Sequence, residues 1–553
     1  MDSAFVGHVH ALRLALTDPR FDACAVTGAL AVLPGARDAL DKAAALATGA
    51  AADGAGPYAD RLAASVEAAG TVVQRPELGT LVATVPAGPA DREAATAAVA
   101  AVDDEAVRLR TAVKSRDGFF TTFFISPYSR YIARWCARRG LTPNQVTTAS
   151  LITALIAAGC AATGERWGYV AAGLLLLVSF VLDCTDGQLA RYSLQYSTMG
   201  AWLDATFDRA KEYSFYAGLA LGAARNGDDV WALAVGAMIL MTCRHVVDFS
   251  FNEANHDATA AGASPSGSPT AALSAKLDSV GWTVWVRRMI ILPIGERWAM
   301  IAVLTALTTP RIVFYALLVG CAFGALYTTA GRVLRSLTRR ATRTDRAARA
   351  LYDLTDSGPV AELVAQALIL LRASSPGALG IAVLASAQLI YGATQASFGS
   401  WGMVVAAGIY AFFAGGAVMA PLKGALDWLV PPVFRAAEYT TVLILAVKAD
   451  VPGALPAAFG LIAAVAYHHY DTVYRIRGGT GAPPHWLVRT IGGHEGRVLL
   501  LTVLAAVLAS READFPVALT AAAVFVALVV LVESIRFWVS SGAPAVHDEG
   551  EPA

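Results

Sequence analysis

The chain has 553 residues, of which 56% are hydrophobic and only 16% are charged, and its 43 basic and 43 acidic side chains balance. This composition excludes an ordinary soluble protein. Zero net charge, with no basic patch among aromatic residues, also argues against nucleic acid as a partner. Several apolar windows approach or reach the length of about 20 residues that a membrane-spanning helix needs. We therefore predict a mainly α-helical, multi-pass protein of the cell membrane.

Residues 1–113 differ from the rest of the chain in their pattern of apolar and polar residues. Short apolar runs at 23–26 and 79–85 alternate with helix-like stretches at 58–69 and 91–109. Alternating strand and helix patterns favour an α/β fold, and no window here is long enough to span a membrane. We predict a small cytosolic α/β domain in this region.

The first membrane block comprises residues 114–345 and begins with an amphipathic segment. Between Pro127 and Arg139, four arginines lie among tyrosine, isoleucine and tryptophan, a pattern typical of a helix in the membrane interface. Six apolar segments follow, and the Ser-, Ala- and Gly-rich stretch from Asn252 to Lys276 indicates a flexible connection. The six predicted spans are 145–163, 167–190, 199–222, 230–250, 293–309 and 312–334.

Arginine clusters on both sides of this block set its predicted orientation. One cluster precedes the first span and a longer one, from Arg332 to Arg349, follows the sixth, whereas the loop at 226–229 is acidic. Because basic residues concentrate in cytoplasmic loops, we expect both clusters in the cytoplasm, with an even number of spans between them. The junction of the second and third spans would then face the cytoplasm.

Residues 346–553 form a second apolar block with five or six predicted spans. Its polar side chains gather in two stretches, one around His468, His469 and Asp471 and the other at His494 and Glu495. These residues could bind a metal or another ligand, but no spacing among them defines a coordination geometry. The sequence favours ordinary packing at the membrane interface.

The strongest chemical signal lies where the second and third spans meet. A charged side chain at membrane depth costs about 3 kcal/mol even on lenient scales. Four carboxylates within 26 residues therefore need a purpose. The segment runs Asp183-Cys-Thr-Asp186-Gly187-Gln-Leu-Ala190-Arg191 and continues with Gly200, Asp204 and Asp208.

Helical periodicity suggests how these carboxylates converge. Asp183 and Asp186 are three residues apart, and Asp204 and Asp208 are four apart, so each pair shares one helix face. Two antiparallel helices joined by the residues between Tyr192 and Gly200 would direct all four towards a common centre. Hard oxygen ligands suit Mg²⁺, Mn²⁺ or Ca²⁺, and Mg²⁺ commonly completes its coordination shell with phosphate.

The neighbouring small and basic residues favour a phosphate ligand. Gly187 and Gly200 let a ligand or a helix approach the backbone, and Arg191 is a permanently charged, planar donor suited to phosphate oxygens. A carboxylate that does not bind metal could accept a proton from an attacking hydroxyl. The alternative, a salt-bridged seam involving Arg191, Arg209 and Lys211, explains neither the glycines nor the surplus of carboxylates.

The pattern D-x2-D-G-x2-A-R-x8-G-x3-D-x3-D resembles the signature of the CDP-alcohol phosphotransferase family, also called CDP-alcohol phosphatidyltransferases, and every fixed position is present. The stretch Thr-Pro-Asn-Gln-Val-Thr at 142–147 resembles the family's entry to its first span. The resemblance covers about 114–345 and implies a six-helix membrane enzyme of phospholipid or polar-headgroup biosynthesis. Such a transferase moves a substituted phosphate from CDP-diacylglycerol or a CDP-polyol to an alcohol acceptor and releases CMP.

The resemblance also implies a role for each motif residue. Asp183, Asp186 and Asp204 would bind the cofactor, Mg²⁺ or Mn²⁺. Asp208 would help to bind the metal and act as the catalytic base on the acceptor hydroxyl. The CDP moiety would lie against Gly187, Ala190, Arg191 and Gly200.

Four residues outside the motif are weaker candidates for contact with the acceptor. Arg244, His245, Arg287 and Arg288 lie near predicted span ends, where they could bind a phosphate of the acceptor. Snorkelling of these side chains to the membrane interface is the simpler interpretation.

The flanking regions carry resemblances of their own. Some family members have a nucleotidyltransferase domain before the membrane enzyme, and Lys114-Ser-Arg-Asp117-Gly118 resembles the linker found there. The region before it lacks a Gly-rich nucleotide loop followed by a basic residue. We therefore interpret 1–113 as a shortened relative without cytidylyltransferase activity. The region 346–553 resembles uncharacterised membrane domains attached to such enzymes.

Two other functions stay open on the sequence alone. A membrane prenyltransferase also binds Mg²⁺–pyrophosphate through aspartate-rich helices, but its motifs lack the continuation through G-x2-A-R. A non-catalytic transporter or scaffold would make the second apolar block the working part of the chain. The sequence also leaves open the identity of the donor and the acceptor, and whether the protein is a homodimer.

Overall fold

The computed structural model describes residues 1–18, 21–50, 56–114, 117–260, 285, 289, 291–338, 343–372 and 377–540. The described residues form two compact units. The first unit contains Met1–Ser150 and Val178–Ala205, and the second contains the described parts of Leu151–Leu177 and Thr206–Ser541. The fold is mainly α-helical, as the sequence predicts.

The N-terminal region contains two short antiparallel strand pairs packed with helices. Strand β1 (Val6–Gly7) pairs with β4 (Ala83–Thr84), and β2 (Ala23–Val26) pairs with β3 (Ala29–Val32). The tight β2–β3 turn contains Gly28 at φ 78°, a conformation that glycine adopts without steric cost. Cys24 also forms a parallel bridge with Gln74. The helices of this region are α1 (Val9–Leu16), α2 (Arg37–Ala50), α3 (Tyr58–Ala68), α4 (Pro89–Ala100) and α5 (Asp104–Thr111).

Part of this region differs from the sequence prediction. The stretch 91–109 is not one helix, because α4 ends at Ala100 and α5 begins at Asp104. The side chain of Asp103 accepts hydrogen bonds from the backbone N–H groups of Glu105 and Ala106 at 3.0 and 3.1 Å. Such a cap satisfies donors that would otherwise lack a partner at a helix start, and it fixes the break here.

Helices occupy all six positions predicted for the first membrane block. Four of them, α7, α8, α10 and α12, are individually long and apolar enough to cross a membrane. Helix α9 carries the charged motif residues, and α11 has only 14 residues. The block consists of α6 (Ser126–Arg138), α7 (Pro143–Ala162), α8 (Arg166–Ser193), α9 (Thr198–Arg225), α10 (Trp231–Ala260), α11 (Ile294–Leu307) and α12 (Pro310–Thr338).

Helix α6 matches the predicted amphipathic segment. Its Ala133 and Cys136 pack with Val146 and Leu189, while Tyr128, Tyr131 and Trp135 are exposed. A buried small-residue face opposite an aromatic one is the arrangement expected of a helix that lies in the membrane interface.

Helix α10 continues beyond the residue at which the sequence predicts the connection to begin. The chain is still helical from Asn252 to Ala260, so the prediction of an irregular segment is wrong for these residues. Phe251 and Ala254 are buried against residues such as Leu351 and Trp428, and this packing extends the helix. The rest of the predicted connection lies outside the described residues.

Two glycines bring α9 close to α7 in the second unit. Gly218 and Gly222 are four residues apart, and a Cβ atom at either would overlap with the backbone carbonyl of Ala158 or Ala161. Small residues spaced in this way let transmembrane helices pack at short distance without a hydrophobic driving force. The close packing fixes the position of the helix that carries Asp208.

The C-terminal block adds five helical segments that are long and apolar enough to span a membrane, which agrees with the predicted five or six. Its helices are α13 (Asp345–Thr355), α14 (Pro359–Leu370), α15 (Ala378–Gln395), α16 (Trp401–Val418), α17 (Val430–Ala449), α18 (Ala454–Arg477), α19 (His485–Thr490), α20 (Gly493–Val507) and α21 (Phe515–Ser540). The described part of the chain is therefore that of a multi-pass membrane protein.

A closed ring of four charged side chains lies buried in this block. Asp356 contacts Arg435 at 3.0 Å and Arg497 at 2.7 Å. Glu438 contacts the same two guanidinium groups at 2.9 and 2.6 Å. His468 Nε2 lies 3.0 Å from the other oxygen of Asp356. We call Asp356, Arg435, Glu438 and Arg497 the ionic ring; its two negative and two positive charges balance.

The conformation and protonation of Asp356 both depend on the ring. Asp356 has a left-handed backbone with φ 55°, which is unfavourable for a residue other than glycine. Burial alone would raise its pKa, but the guanidinium groups of Arg435 and Arg497 hold the pKa well below its usual range. Asp356 is therefore ionised and joins helix α13 to α17 and α20.

Removing one member of the ionic ring should destabilise the protein strongly. Asp356→Ala leaves two buried guanidinium groups with one carboxylate of the ring, that of Glu438, which should lower the free energy of unfolding by about 3–5 kcal/mol. Thermal unfolding of the full chain in detergent measures the effect. The matched control is Asp345→Ala, which removes an exposed carboxylate paired with Lys423 and should leave the Tm unchanged. A Tm for Asp356→Ala equal to that of wild type would contradict this role.

Candidate metal centre

The motif residues lie where α8 ends and α9 begins, and all of them except Asp208 belong to the first unit. Asp183 and Asp186 lie in the last three turns of α8, and Asp204 lies in the second turn of α9. The connection consists only of residues 194–197, which is shorter than predicted because both helices extend into it. Leu194 adopts φ 55° at this turn. A tight connection of this kind brings the two helix ends together.

Three carboxylates of the motif converge. Each of Asp183, Asp186 and Asp204 offers an oxygen atom, and these oxygens all lie within 4.8 Å of one another. Asp186 is buried, with 4% exposure, whereas Asp183 and Asp204 are partly exposed. We call these three residues the aspartate triad.

The chemistry of the triad fits a divalent cation. Three carboxylates so close together repel one another when ionised, and burial makes ionisation still more costly. A cation bound between them removes the repulsion and is coordinated by hard oxygen ligands of the kind that Mg²⁺ and Mn²⁺ prefer. The partly exposed side of the triad leaves access for further ligands. The site can therefore hold a metal ion.

Arg191 lies along the helix that carries two members of the triad. Its Nε donates a hydrogen bond to the carbonyl of Ala112 at 2.6 Å. Its terminal nitrogens lie 3.4 and 3.6 Å from the position that a Cβ of Gly187 would occupy. Gly187 thus leaves room for the guanidinium group against α8. The side chain is held at Nε while its two terminal amino groups lie beside the motif.

Asn144 lies so close to Gly200 that a larger side chain at position 200 would overlap with it. A Cβ at Gly200 would lie 2.9 Å from Asn144 Oδ1 and 2.8 Å from Ser197 Oγ. Asn144, at the start of α7, is therefore a neighbour of the site that the motif spacing did not indicate, although it belongs to the Thr-Pro-Asn-Gln-Val-Thr stretch. Ala190 is half-buried, and its carbonyl accepts a hydrogen bond from the Gln195 N–H at 3.0 Å near the end of α8.

Helix α5 of the N-terminal region supports the end of α8. The guanidinium of Arg108 lies 4.1 Å from the centre of the Tyr192 ring and donates to the Tyr192 carbonyl at 3.2 Å. Glu105 accepts hydrogen bonds from Arg134 and Arg138 of α6 at 3.3 and 2.9 Å. The N-terminal region is thus fastened to the helix that carries the motif.

Asp208 lies one turn beyond Asp204 on α9 and is not part of the triad group. Its carboxylate forms a salt bridge with the buried Lys211, whose Nζ lies 2.8 Å from Asp208 Oδ1. The neighbouring Arg209 pairs with Glu212 at 2.7 Å. The predicted convergence of four carboxylates is therefore seen for three. Some charges do form the salt-bridged seam that the sequence left as an alternative, but the triad is a separate feature.

The acceptor candidates Arg244 and His245 lie in the middle of α10. Arg244 donates a hydrogen bond to the carbonyl of Ile291, and the ring of His245 lies 4.1 Å from that of Tyr470 in the C-terminal block. Both residues are partly buried, and these contacts join them to neighbouring parts of the protein. The other two candidates, Arg287 and Arg288, lie outside the described residues.

The polar residues of the C-terminal block do not form a metal site among the described residues. His468 contacts Asp356, whereas Asp471 accepts a hydrogen bond from Trp538 Nε1 at 2.7 Å. Glu495 accepts hydrogen bonds from the backbone N–H groups of Gly358 and Ala361 at 3.1 and 3.0 Å, and so caps α14. His494 Nδ1 lies 2.8 Å from the Tyr410 hydroxyl, and His469 packs near His245.

The fold is that of a multi-pass membrane protein, and the triad is a group of three carboxylates that could hold a metal ion. Residues 140–325 match the family described as CDP-alcohol phosphatidyltransferase. Residues 345–553 match a family of unknown function, DUF5941. The region 140–325 therefore belongs to the CDP-alcohol phosphatidyltransferase family, which is a family of phosphotransferase enzymes.

Curated relatives match over similar lengths. The archaetidylinositol phosphate synthase of Pyrococcus horikoshii is 32% identical over 115 residues, 20% of this chain and 58% of the relative. The phosphatidylinositol phosphate synthase of Mycolicibacterium smegmatis is 36% identical over 123 residues, 22% and 53% of the two chains. A bifunctional IPC transferase and DIPP synthase of Aquifex aeolicus is 31% identical over 114 residues, 20% and 26%. The chain thus spans between about a quarter and somewhat over half of these three relatives.

Loss of one triad carboxylate should weaken metal binding. We expect Asp186→Asn to raise the Kd for Mn²⁺ about tenfold or more, because it removes a negatively charged ligand from the group. Electron paramagnetic resonance of Mn²⁺ titrated into the purified full chain measures free and bound metal without any turnover. Asp228→Asn, which removes an acidic side chain from the 226–229 loop, should bind Mn²⁺ as wild type does. Equal Mn²⁺ affinity in Asp186→Asn and wild type would refute the site.

Proposed function

We propose that the protein transfers a substituted phosphate group from a CDP-linked donor to an alcohol acceptor, with release of CMP and dependence on Mg²⁺ or Mn²⁺. The observation that supports this most strongly is the aspartate triad, formed by the first three aspartates of a signature that is present without a gap. Membership of 140–325 in the family agrees with it. The reaction belongs to phospholipid or polar-headgroup biosynthesis.

Donor binding is assigned to the motif residues of α8 and the start of α9. Asp183, Asp186 and Asp204 would hold the metal, which when bound neutralises charge on the donor's two phosphates. The terminal amino groups of Arg191 would donate hydrogen bonds to a phosphate oxygen, while its Nε donates to the carbonyl of Ala112. Gly187 and Gly200, together with Ala190, would keep this part of the pocket open for the CDP moiety.

Asp208 is assigned to the acceptor. Its carboxylate would take the proton of the acceptor hydroxyl while the hydroxyl oxygen bonds to the phosphorus of the transferred group. The bond between that phosphorus and the CMP oxygen breaks, and CMP leaves. General-base assistance of this kind contributes about 10²–10⁴-fold to rate. Lys211, 2.8 Å from Asp208, would hold the carboxylate in place.

The names of the relatives suggest where to begin with substrates. Two of the three are named archaetidylinositol phosphate synthase and phosphatidylinositol phosphate synthase. We therefore rank an inositol phosphate first among acceptors, ahead of glycerol phosphate and serine. CDP-diacylglycerol ranks first among donors. Arg244 and His245 stay candidates for contact with the acceptor.

We also propose that the triad faces the cytoplasm. The arginines of α6 and those that follow Arg332 flank this block on both sides, and basic residues near span ends concentrate on the cytoplasmic side. A CDP-linked substrate would then reach the site from the compartment in which nucleotides are made.

The Asp208→Asn variant tests the proposal. The full chain is reconstituted in liposomes with Mg²⁺ and labelled CDP-linked donors, and it is offered each acceptor in turn. We expect wild type to release CMP and Asp208→Asn to lose about 100-fold or more in kcat, because the amide cannot accept the proton. Asp228→Asn serves as the matched control and should keep wild-type activity. All three proteins should elute alike on size exclusion.

The other outcomes separate the alternatives. Undiminished CMP formation by Asp208→Asn would contradict its assignment as base. Release of pyrophosphate in place of CMP from a prenyl diphosphate would favour a prenyltransferase. Folded, metal-loaded wild type that turns over no donor would favour a transporter or scaffold.

A further inference from the structure

The C-terminal block reaches into the family domain through helix α18. Tyr470 on this helix is buried, with 3% exposure. Its hydroxyl accepts a hydrogen bond from Arg209 NH1 at 3.4 Å, and the Arg209 guanidinium lies 5.0 Å from the ring centre. The ring of His245 lies 4.1 Å from the Tyr470 ring. Tyr470 thus contacts side chains of α9 and α10 at once.

Arg209 is the residue directly after Asp208, and its remaining contacts are also buried. Glu212 accepts a hydrogen bond from Arg209 at 2.7 Å and another from the Tyr216 hydroxyl at 2.7 Å. Arg297 of α11 lies 3.4 Å from the same carboxylate. One carboxylate therefore serves two guanidinium groups, so Arg209, Glu212 and Arg297 together carry one positive charge. The face of the Tyr470 ring and its phenol oxygen both stabilise a positively charged guanidinium group.

We propose that Tyr470 of the C-terminal block is a positioning residue for phosphotransfer, because it holds Arg209 and thereby the turn of α9 that carries Asp208. This inference rests on the proposed function of Asp208. It assigns to the DUF5941 region a part in the reaction of the CDP-alcohol phosphatidyltransferase region. Tyr470 is assigned a role through Arg209 and not a contact with the reacting groups.

The physical reason is that the guanidinium of Arg209 donates hydrogen bonds to both Glu212 and Tyr470. Without the Tyr470 ring and hydroxyl, Arg209 would turn towards water or draw Glu212 away from Arg297. Either change rotates or tilts the turn of α9 that also carries Asp208 and its partner Lys211. Displacing a catalytic group by about 1 Å costs up to about 100-fold in rate. Substrate binding at the triad would change much less.

A second tyrosine of α18 serves as an internal reference. The hydroxyl of Tyr467 lies 2.9 Å from Ser534 of α21, within the C-terminal block. Tyr467→Phe therefore removes a hydroxyl from the same helix by the same substitution, but inside the C-terminal block. It should keep wild-type kcat.

The test compares Tyr470→Phe, Tyr470→Ala and Tyr467→Phe in the full chain. For Tyr470→Ala we expect kcat to fall about tenfold, with the KM for the CDP-linked donor within about twofold of wild type. Tyr470→Phe keeps the ring and loses only the hydroxyl, so its kcat should lie between those of Tyr470→Ala and wild type. The Kd for Mn²⁺ at the triad, measured by electron paramagnetic resonance, should stay within about twofold in all variants.

Each result decides between the alternatives. A kcat for both Tyr470 variants equal to that of Tyr467→Phe would overturn the inference, and so would a rise in donor KM without loss of kcat. Should Tyr470→Ala fail to fold, Tyr470→Phe alone decides by the same kcat comparison. Wild type that binds Mn²⁺ but releases no CMP from any donor would refute the proposed function first, and the inference with it. Active wild type with unaffected Tyr470 variants refutes the inference alone.

Discussion

The structure depends on one electrostatic constraint. Carboxylates are held close together in an apolar protein. The oxygens of Asp183, Asp186 and Asp204 lie within 4.8 Å of one another, and their mutual repulsion is relieved by a cation or by protonation. Here the end of α8 and the start of α9 hold the group together. The short connection at 194–197 and the support of Tyr192 by Arg108 provide that placement. The proposed metal binding, donor binding and phosphate transfer all depend on this placement.

The ionic ring of the C-terminal block solves the same electrostatic problem differently. Asp356, Arg435, Glu438 and Arg497 neutralise one another within the protein, at 2.6–3.0 Å. A closed and balanced set of charges gives rigidity and has no net charge with which to attract an ion. The aspartate triad instead gathers three groups of the same charge at a partly exposed place. Like charges brought together in a membrane protein are costly, and their presence therefore signals function.

Sequence patterns over a few residues predicted the contacts between residues that are close along the chain. The motif spacing placed Asp183, Asp186 and Asp204 on facing helix ends because helical periodicity acts over a few residues. It could not predict the ionic ring, whose Asp356 and Arg497 lie 141 positions apart. Nor could it predict the contact between Arg209 and Tyr470, which are 261 positions apart. The helical path to Ala260 was missed because packing against Leu351 and Trp428 overrides a polar composition.

A structure of the full chain with Mn²⁺ and CDP, with data collected at the manganese absorption edge, tests the central claim most directly. We predict an anomalous peak about 2.0–2.4 Å from carboxylate oxygens of Asp183, Asp186 and Asp204, with the phosphates of CDP completing the coordination. Manganese bound elsewhere, or CDP bound with its phosphates away from the triad, would contradict a metal-dependent phosphotransfer site at these residues.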